Sequence, residues 1–301
     1  MPGYLAASVQ GGQLQYAHGA PLGGHAARID LYGARALPGE KGLQKLAGEM
    51  HLERYTCSTL LPPGDYQVFL VEAPNVPKPE LKSAMRWRVK DMIDYHVDDA
   101  TIDVLDIPPD EAAGSRGHYM YAVCARNDAV QACIKTFQDA HIPLSVIDIQ
   151  ETAQRNLAAL FEEPGRGLAV VYFGEDWGLL SINYRGELYQ VRRLEIGTRQ
   201  LGAADAEARR EARERMALEL QRTFDHFDRQ FHHIALAQLL VAPLAEDGGL
   251  VAYLGENVTV PVRAMDLQAK LAFDGAPPDS ATQWRLFHHF GAALRQETKA
   301  P

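Results

Sequence analysis

Apolar residues at Met216, Leu220, Phe224, Phe227, Phe231 and Ile234 recur at spacings of three and four, which places them in one stripe along one face of a helix. The stripe predicts a long helix from about Ala204 to about His232. Three strand-like runs precede it, Leu168–Phe173, Leu179–Tyr184 and Leu188–Leu194, with Arg185-Gly186 turning between the second and third. After it the pattern predicts a strand at Leu236–Val241, a short helix near Gly249–Gly255, a strand at Val258–Ala264 and a closing helix near Thr282–Gln296. The order is βββαβαβα.

The first half begins in the same way. Tyr4–Val9, Gln13–Ala17 and Arg28–Tyr32 read as strands, and Gly11-Gly12 between the first two is a hairpin signal. A helical segment, Lys41–Met50, follows, then strands near Tyr55–Leu60 and Tyr66–Val71 joined through the turn-rich Pro62-Pro63-Gly64-Asp65. Two halves that both open on three antiparallel strands and continue through βα units suggest a duplicated α/β domain. Between them, about Val76 to about Pro143 looks inserted. It opens on Pro77 and Pro79, favourable at a first helical turn. A helix over Glu80–Tyr95 with Leu81, Met85, Val89 and Met92 on one face, strands at Thr101–Ile107 and Tyr119–Ala125, and a helix over Asp128–Ala140 complete it. The Pro- and Gly-rich loop Pro108–Gly117 is expected to be mobile.

Composition narrows the function classes. The 301 residues are 47% hydrophobic and 23% charged, ordinary for a chain that buries a sizeable core. A formal net charge of −9 argues against a nucleic-acid or anionic-lipid surface over most of the protein. No apolar run approaches the roughly 20 residues of a membrane span, and Met1–Gln10 lacks the basic-then-apolar pattern of a secretory signal. Cys57, Cys124 and Cys133 are an odd number without CxxC spacing, which suits reduced, buried thiols in a cytosolic protein.

The run Pro62-Pro63-Gly64-Asp65-Tyr66-Gln67-Val68-Phe69-Leu70-Val71-Glu72-Ala73-Pro74-Asn75-Val76-Pro77, with its continuation Glu80-Leu81-Lys82 and Arg86 through His96, resembles the MshI family of MSHA-type type IV pilus assembly. That family is related to PilM and to the cytoplasmic part of the secretion protein GspL. Ser145 through Glu151 is similar to the junction closing the first lobe, Glu195-Ile196-Gly197-Thr198-Arg199-Gln200-Leu201 to an "IG..QL" turn, and Leu218–Gln230 to the long helix. The resemblance implies an α/β, actin-like (ASKHA/FtsA-type) two-lobed, ribonuclease-H-like fold with an inserted α+β subdomain. The lobes are expected at 1–165, with the insertion at about 76–143, and at 166–301. Only Gly202–Arg213 separates the "IG..QL" turn from the long helix, so the extra subdomain of PilM relatives is expected to be reduced or missing.

Actin-fold ATPases carry two acidic, glycine-containing hairpin turns at the phosphates and a Gly-rich turn at the adenosine. The first counterpart here is Gln10-Gly11-Gly12, without a carboxylate. The second has Gly174, but Tyr172 stands where the acid is expected, and Glu175 and Asp176 would repel phosphate. At the third, Pro243 and Leu244 occupy glycine positions ahead of Gly248 and Gly249. The expectation is a pseudo-ATPase with no catalytic residue and no cofactor, its eroded cleft kept as a hinge; residual ATP or ADP binding is the weaker reading.

Other constellations carry less. His226 and His233 share a helix face but lie roughly 10 Å apart, and His288 and His289 point in different directions; the histidines are expected to be solvated or partly buried, with no metal site. Asp91, Asp94, Asp98, Asp99, Asp103 and Asp106 read as a solvated face, or as a docking surface for a basic tail. No P-loop, HExxH, G-x-S-x-G or Rossmann fingerprint appears. The favoured function is a non-catalytic scaffold, cytoplasmic and peripheral at the inner membrane. It would bind the tail of a PilN-like or MshJ-like bitopic protein between the inserted subdomain and its parent lobe, with the assembly ATPase as a further partner. Arg86, Trp87, Arg88 and Tyr95 are the candidate anchors, against plain helix packing and surface charge. The alternative is an active actin-like ATPase of a pilus or type II secretion platform.

Overall fold

The computed structural model describes residues 3–23, 26–39, 41–109 and 118–296; residues 110–117 of the loop expected to be mobile lie outside them. In chain order the elements open with β1 (Tyr4–Gln10), β2 (Gln13–Gly23), β3 (Ala26–Ala36), α1 (Gly42–Glu49), β4 (Cys57–Leu60), β5 (Tyr66–Glu72) and α2 (Leu81–Val89). There follow β6 (Ala100–Asp106), β7 (Tyr119–Arg126), α3 (Asn127–Asp139), β8 (Leu144–Asp148) and α4 (Gln150–Phe161). The remainder is β9 (Gly167–Phe173), β10 (Gly178–Tyr184), β11 (Glu187–Leu194), α5 (Thr198–Leu201), α6 (Ala206–Gln230), β12 (Leu236–Val241), α7 (Leu250–Asn257), β13 (Val262–Ala264), β14 (Leu271–Phe273) and α8 (Ser280–Ala293). The strands form three sheets, ordered β14-β3-β2-β1-β4-β8, β11-β10-β9-β12-β13 and β5-β7-β6.

Two compact units result: Met1–Ala6, Gln15–Ala34 and Glu151–Pro301 in one, Ala7–Leu14 and Arg35–Gln150 in the other. This is not the division at 165/166, and side-chain chemistry shows why. Gln154 on α4 donates to the Val170 and Leu179 carbonyls and to Ser181 Oγ at 3.0, 3.2 and 2.9 Å, which binds α4 to β9 and β10. Within the same unit, β14 pairs in parallel with β3, and Arg28 clasps Asp274.

In this unit β9 is buried along its whole length, pairing with β10 antiparallel and β12 parallel. Asp205 caps α6 by accepting from the Ala208 amide at 2.8 Å. The stripe Met216, Leu220, Phe224 and Phe227 is buried as the spacing predicts. The helix ends at Gln230 rather than His232, and Phe231 turns off the axis to meet Tyr189 and Phe227. The strand expected over Val258–Ala264 shortens to Val262–Ala264, because Pro261 has no amide for the ladder. The Pro261 carbonyl still accepts from Leu239.

In the other unit the β5-β7-β6 sheet lies between α2 and α3. Met85 and Val89 of α2 pack with Val71, Ile102, Ala122 and Cys124 on one face; Val130 and Cys133 of α3 join Tyr66 and Ala125 on the other. The inserted segment therefore begins near Tyr66, not Val76, since β5 pairs with β7 throughout. Helix α2 stops at Val89, not Tyr95. Ending there lets Tyr95 fold back against the same core and under the Arg126 guanidinium, 4.2 Å from its ring, a direction that a continued helix denies it.

Candidate functional site

The turn between β9 and β10 is closed on itself. The Gly174 amide donates to the Trp177 carbonyl at 2.8 Å, and the Gly174 and Glu175 carbonyls accept from the Thr198 and Arg199 amides at 2.8 and 2.9 Å. Gly197 permits that approach: a β-carbon there would meet the Glu175 carbonyl at 2.4 Å. Arg199 holds Glu175 and Asp176 at 2.9 and 2.8 Å. Tyr172 is buried, stacked on Phe287 at 5.4 Å and edge-on to His288 at 4.4 Å, and burial pushes its hydroxyl pKa up.

The other two turns are equally self-contained. Gly11 and Gly12 have φ of 54° and 71°, a left-handed hairpin corner natural to glycine, and the Gly12 carbonyl accepts from Leu37 at 2.9 Å. Before α7, the Asp247 carboxylate accepts from the Gly249 and Val251 amides at 2.9 and 3.0 Å, so an internal anion occupies this helix start. Gly248 and Gly249 are left-handed, and Arg213 donates to the Gly248 carbonyl at 2.9 Å.

A groove of about 620 Å³ runs beside α3. All of its lining residues belong to the second unit. The end of β1 supplies Val9 and Gln10, β4 supplies Thr59 and Leu60, and Asp65 closes the turn before β5. Across from these stand Asp128, Ala132 and Phe137 of α3. The groove thus lies where the inserted segment meets the sheet of its own unit. Its lining mixes apolar side chains with Ser8, Gln10, Thr59, Thr136 and Arg126, and carries the carboxylates Asp65 and Asp128. Cys133 also lines it; burial raises its pKa against a lowering hydrogen bond from Thr59, which disfavours the thiolate.

No protein-family model matches the sequence, and no curated protein does. Solved structures match. A chain of the PilM-PilN type IV pilus biogenesis complex aligns with a TM-score of 0.69 over 96% of this chain and 96% of its own, at 16% identity. The cytoplasmic domain of EpsL, an inner membrane component of the type II secretion system of Vibrio cholerae, aligns at 0.47 over 94% and 92%, with 12% identity. A Bacteroides thetaiotaomicron protein with an actin-like ATPase fold and unknown function aligns at 0.44 over 95% and 96%, with 8% identity. The chain has an actin-like fold.

Within this actin-like chain the four expected anchors separate. Arg86, Trp87 and Tyr95 line a second pocket, of about 880 Å³, on the α2 side of the inserted segment. Arg88 does not line it, standing 4.0 Å from Glu72 instead. Arg86 bonds the Val97 carbonyl at 2.7 Å and Asp98 at 2.9 Å, fixing the chain after α2. Trp87 is 74% exposed, with Lys90 5.3 Å from its ring centre. The groove residues Asp65, Asp128 and Phe137 were missed as site residues, and no local motif marks them: they converge from segments far apart in sequence.

The six aspartates from Asp91 to Asp106 are exposed, several of them paired, as Asp103 is with Lys82 at 3.0 Å. Among the described residues no three His, Cys, Asp or Glu side chains are placed to hold a metal, and no helix is long and apolar enough to cross a membrane. His288 and His289, expected to be solvated or partly buried, are fully buried, because every residue of α8 from Leu286 to Ala293 is. Burial lowers their pKa values to about 3 and about 4, with mutual repulsion adding to the shift of His288.

Proposed function

We propose that this chain is a non-catalytic scaffold of type IV pilus assembly, of the MshI kind, that captures the extended cytoplasmic tail of a PilN-like or MshJ-like bitopic inner-membrane protein. The groove beside α3 carries this reading. It is open to solvent, offers the apolar Val9, Leu60 and Phe137 beside polar side chains, and carries Asp65 and Asp128, the kind of surface an extended peptide occupies. The likeness to a chain of the PilM-PilN complex supports it. The protein would then work on the cytoplasmic side, held at the inner membrane by its partner, with the assembly ATPase as a second contact.

The turn geometry supports binding over hydrolysis. Gln10-Gly11-Gly12 has no carboxylate to orient a metal ion's waters. Tyr172 replaces the second acid and is packed among aromatic rings. Arg199 engages Glu175 and Asp176, Asp247 takes the amides before α7, and Pro243 adds bulk. These residues do not fit ATP and Mg²⁺.

The test is co-purification with the tail of the membrane partner, with Ala132→Trp as the blocking variant. Ala132 is exposed on α3 and lines the groove, so the variant should fold normally and lose the tail. Isothermal titration with ATP and Mg²⁺ should show no turnover. Tail binding unaffected by Ala132→Trp, or ATP turnover, would overturn the respective half of the proposal.

A further inference from the structure

On the other unit, α6 and β11 form a cationic pocket of about 440 Å³. Arg215, Leu218, Glu219 and Arg222 stand at spacings of three, four and seven on α6, hence on one face. Arg192 of β11 faces them, bonding Glu219 and Thr223 of α6, over a buried floor of Leu194, Ile196 and Met216, while the next residue, Arg193, turns its guanidinium to Glu151 and the Trp177 ring on the other face of the strand. Three guanidinium groups, of Arg192, Arg215 and Arg222, outnumber the two lining carboxylates, Glu195 and Glu219, and make a positive site on a protein whose net charge is −9.

The internal pairing leaves donors over. Glu219 is shared between Arg192 and Arg222, with Arg222 at 3.3 Å. Arg193 reaches the buried Glu151 at 3.1 Å. Arg215 is exposed and forms no ion pair among the described residues. A guanidinium carries five N–H donors, so the contact with Glu219 leaves donors over on Arg222. Between Arg215 and Arg222 lies Leu218, an aliphatic side chain 49% exposed.

We propose that this pocket docks an acidic segment of a partner protein in which two carboxylates flank an apolar side chain. Seven helical residues put Arg215 and Arg222 roughly 10 Å apart. Three residues of polyproline-II chain, at about 3.1 Å each, cover nearly the same distance and bring positions three apart back to one face. The matching segment therefore has its acids three positions apart, each on one arginine, with an intervening apolar side chain against Leu218. Guanidinium and carboxylate pair in a planar, two-point fashion that favours carboxylates in fixed register.

The experiment uses the full chain and a labelled, blocked peptide with two aspartates three positions apart and leucine between them, followed by fluorescence anisotropy. Binding should fall by about tenfold or more, the equivalent of roughly 1.4 kcal/mol, in the Arg215→Glu, Arg222→Glu double variant. Replacing both peptide aspartates by asparagine, or raising the salt, should weaken it comparably. Leu218→Asp should also weaken it, with an unchanged melting curve. The groove-blocking Ala132→Trp should leave it intact, which separates this site from tail capture. The proposal fails if the double variant binds the peptide as the native chain does. It fails equally if inorganic phosphate binds as tightly as the peptide, since the pocket is then a simple anion site.

Discussion

The indole of Trp177 lies across Gly174, its Cε2 atom 2.8 Å from where a β-carbon on that glycine would stand. Glycine in this hairpin turn thus makes room for the neighbouring ring. Gly174→Ala should force the indole out of its place between Tyr172 and the Arg193 guanidinium, each 5.6 Å from it. The expected cost is about 1–3 kcal/mol, measured by denaturant unfolding, with a shift in tryptophan emission. Unchanged stability would refute this packing role.

A sharper steric test lies at the crossing of α4 and α8. A β-carbon on Gly291 would meet the Ala153 carbonyl at 2.0 Å, and backbone cannot yield as a flexible side chain can. Gly291→Ala should cost about 3 kcal/mol or more. Chevron or equilibrium unfolding reads it.

The buried histidines make stability depend on pH. Both are neutral in the folded chain down to about pH 4 and about pH 3, whereas the unfolded chain takes up their protons below about pH 6.5. The unfolded state therefore binds more protons as pH falls, and stability decreases from about pH 6.5 downwards. The two sites together should lose roughly 4 kcal/mol by about pH 5. Urea unfolding of native and His289→Met proteins checks this, since the variant should show a distinctly shallower slope.

Asp247 caps α7 through two amides. Asp247→Ala should cost about 1 kcal/mol and, with Pro243 still in place, should not create ATP binding; thermal melting with and without nucleotide reads both outcomes.

Trp87→Ala separates the two pockets of the inserted segment. With three quarters of its surface already in water, Trp87 should change stability by no more than about 0.5 kcal/mol when truncated. If the tail lies beside α3, its affinity should survive Trp87→Ala and fall in Ala132→Trp. The reverse pattern would move the tail site to the α2 pocket.

Local features were legible where local physics decides them. Gly11-Gly12 reads as a hairpin corner and adopts left-handed φ values. Four residues of the apolar stripe, Met216, Leu220, Phe224 and Phe227, read as α6 because helical geometry alone puts those side chains on one face, while Phe231 and Ile234 lie beyond its end. The end of α2 was not legible, since no proline or glycine marks Val89 and only the core reached by Tyr95 supplies the reason. Nor was β14, three residues long, which exists as a strand because β3 offers it an edge.

The candidate site divides along the same line. From sequence alone one can see that Gln10-Gly11-Gly12 lacks a carboxylate and that Pro243 stiffens the chain after β12, because chemistry at a named position needs no neighbours. That Arg199 clasps Glu175 and Asp176, that Trp177 fills the space over Gly174, and that Asp65, Thr59 and Phe137 share one groove were settled by the tertiary structure alone. Those contacts join residues that the chain brings together only when its sheets pair and its helices bury their apolar faces, and no periodicity along the sequence records such meetings.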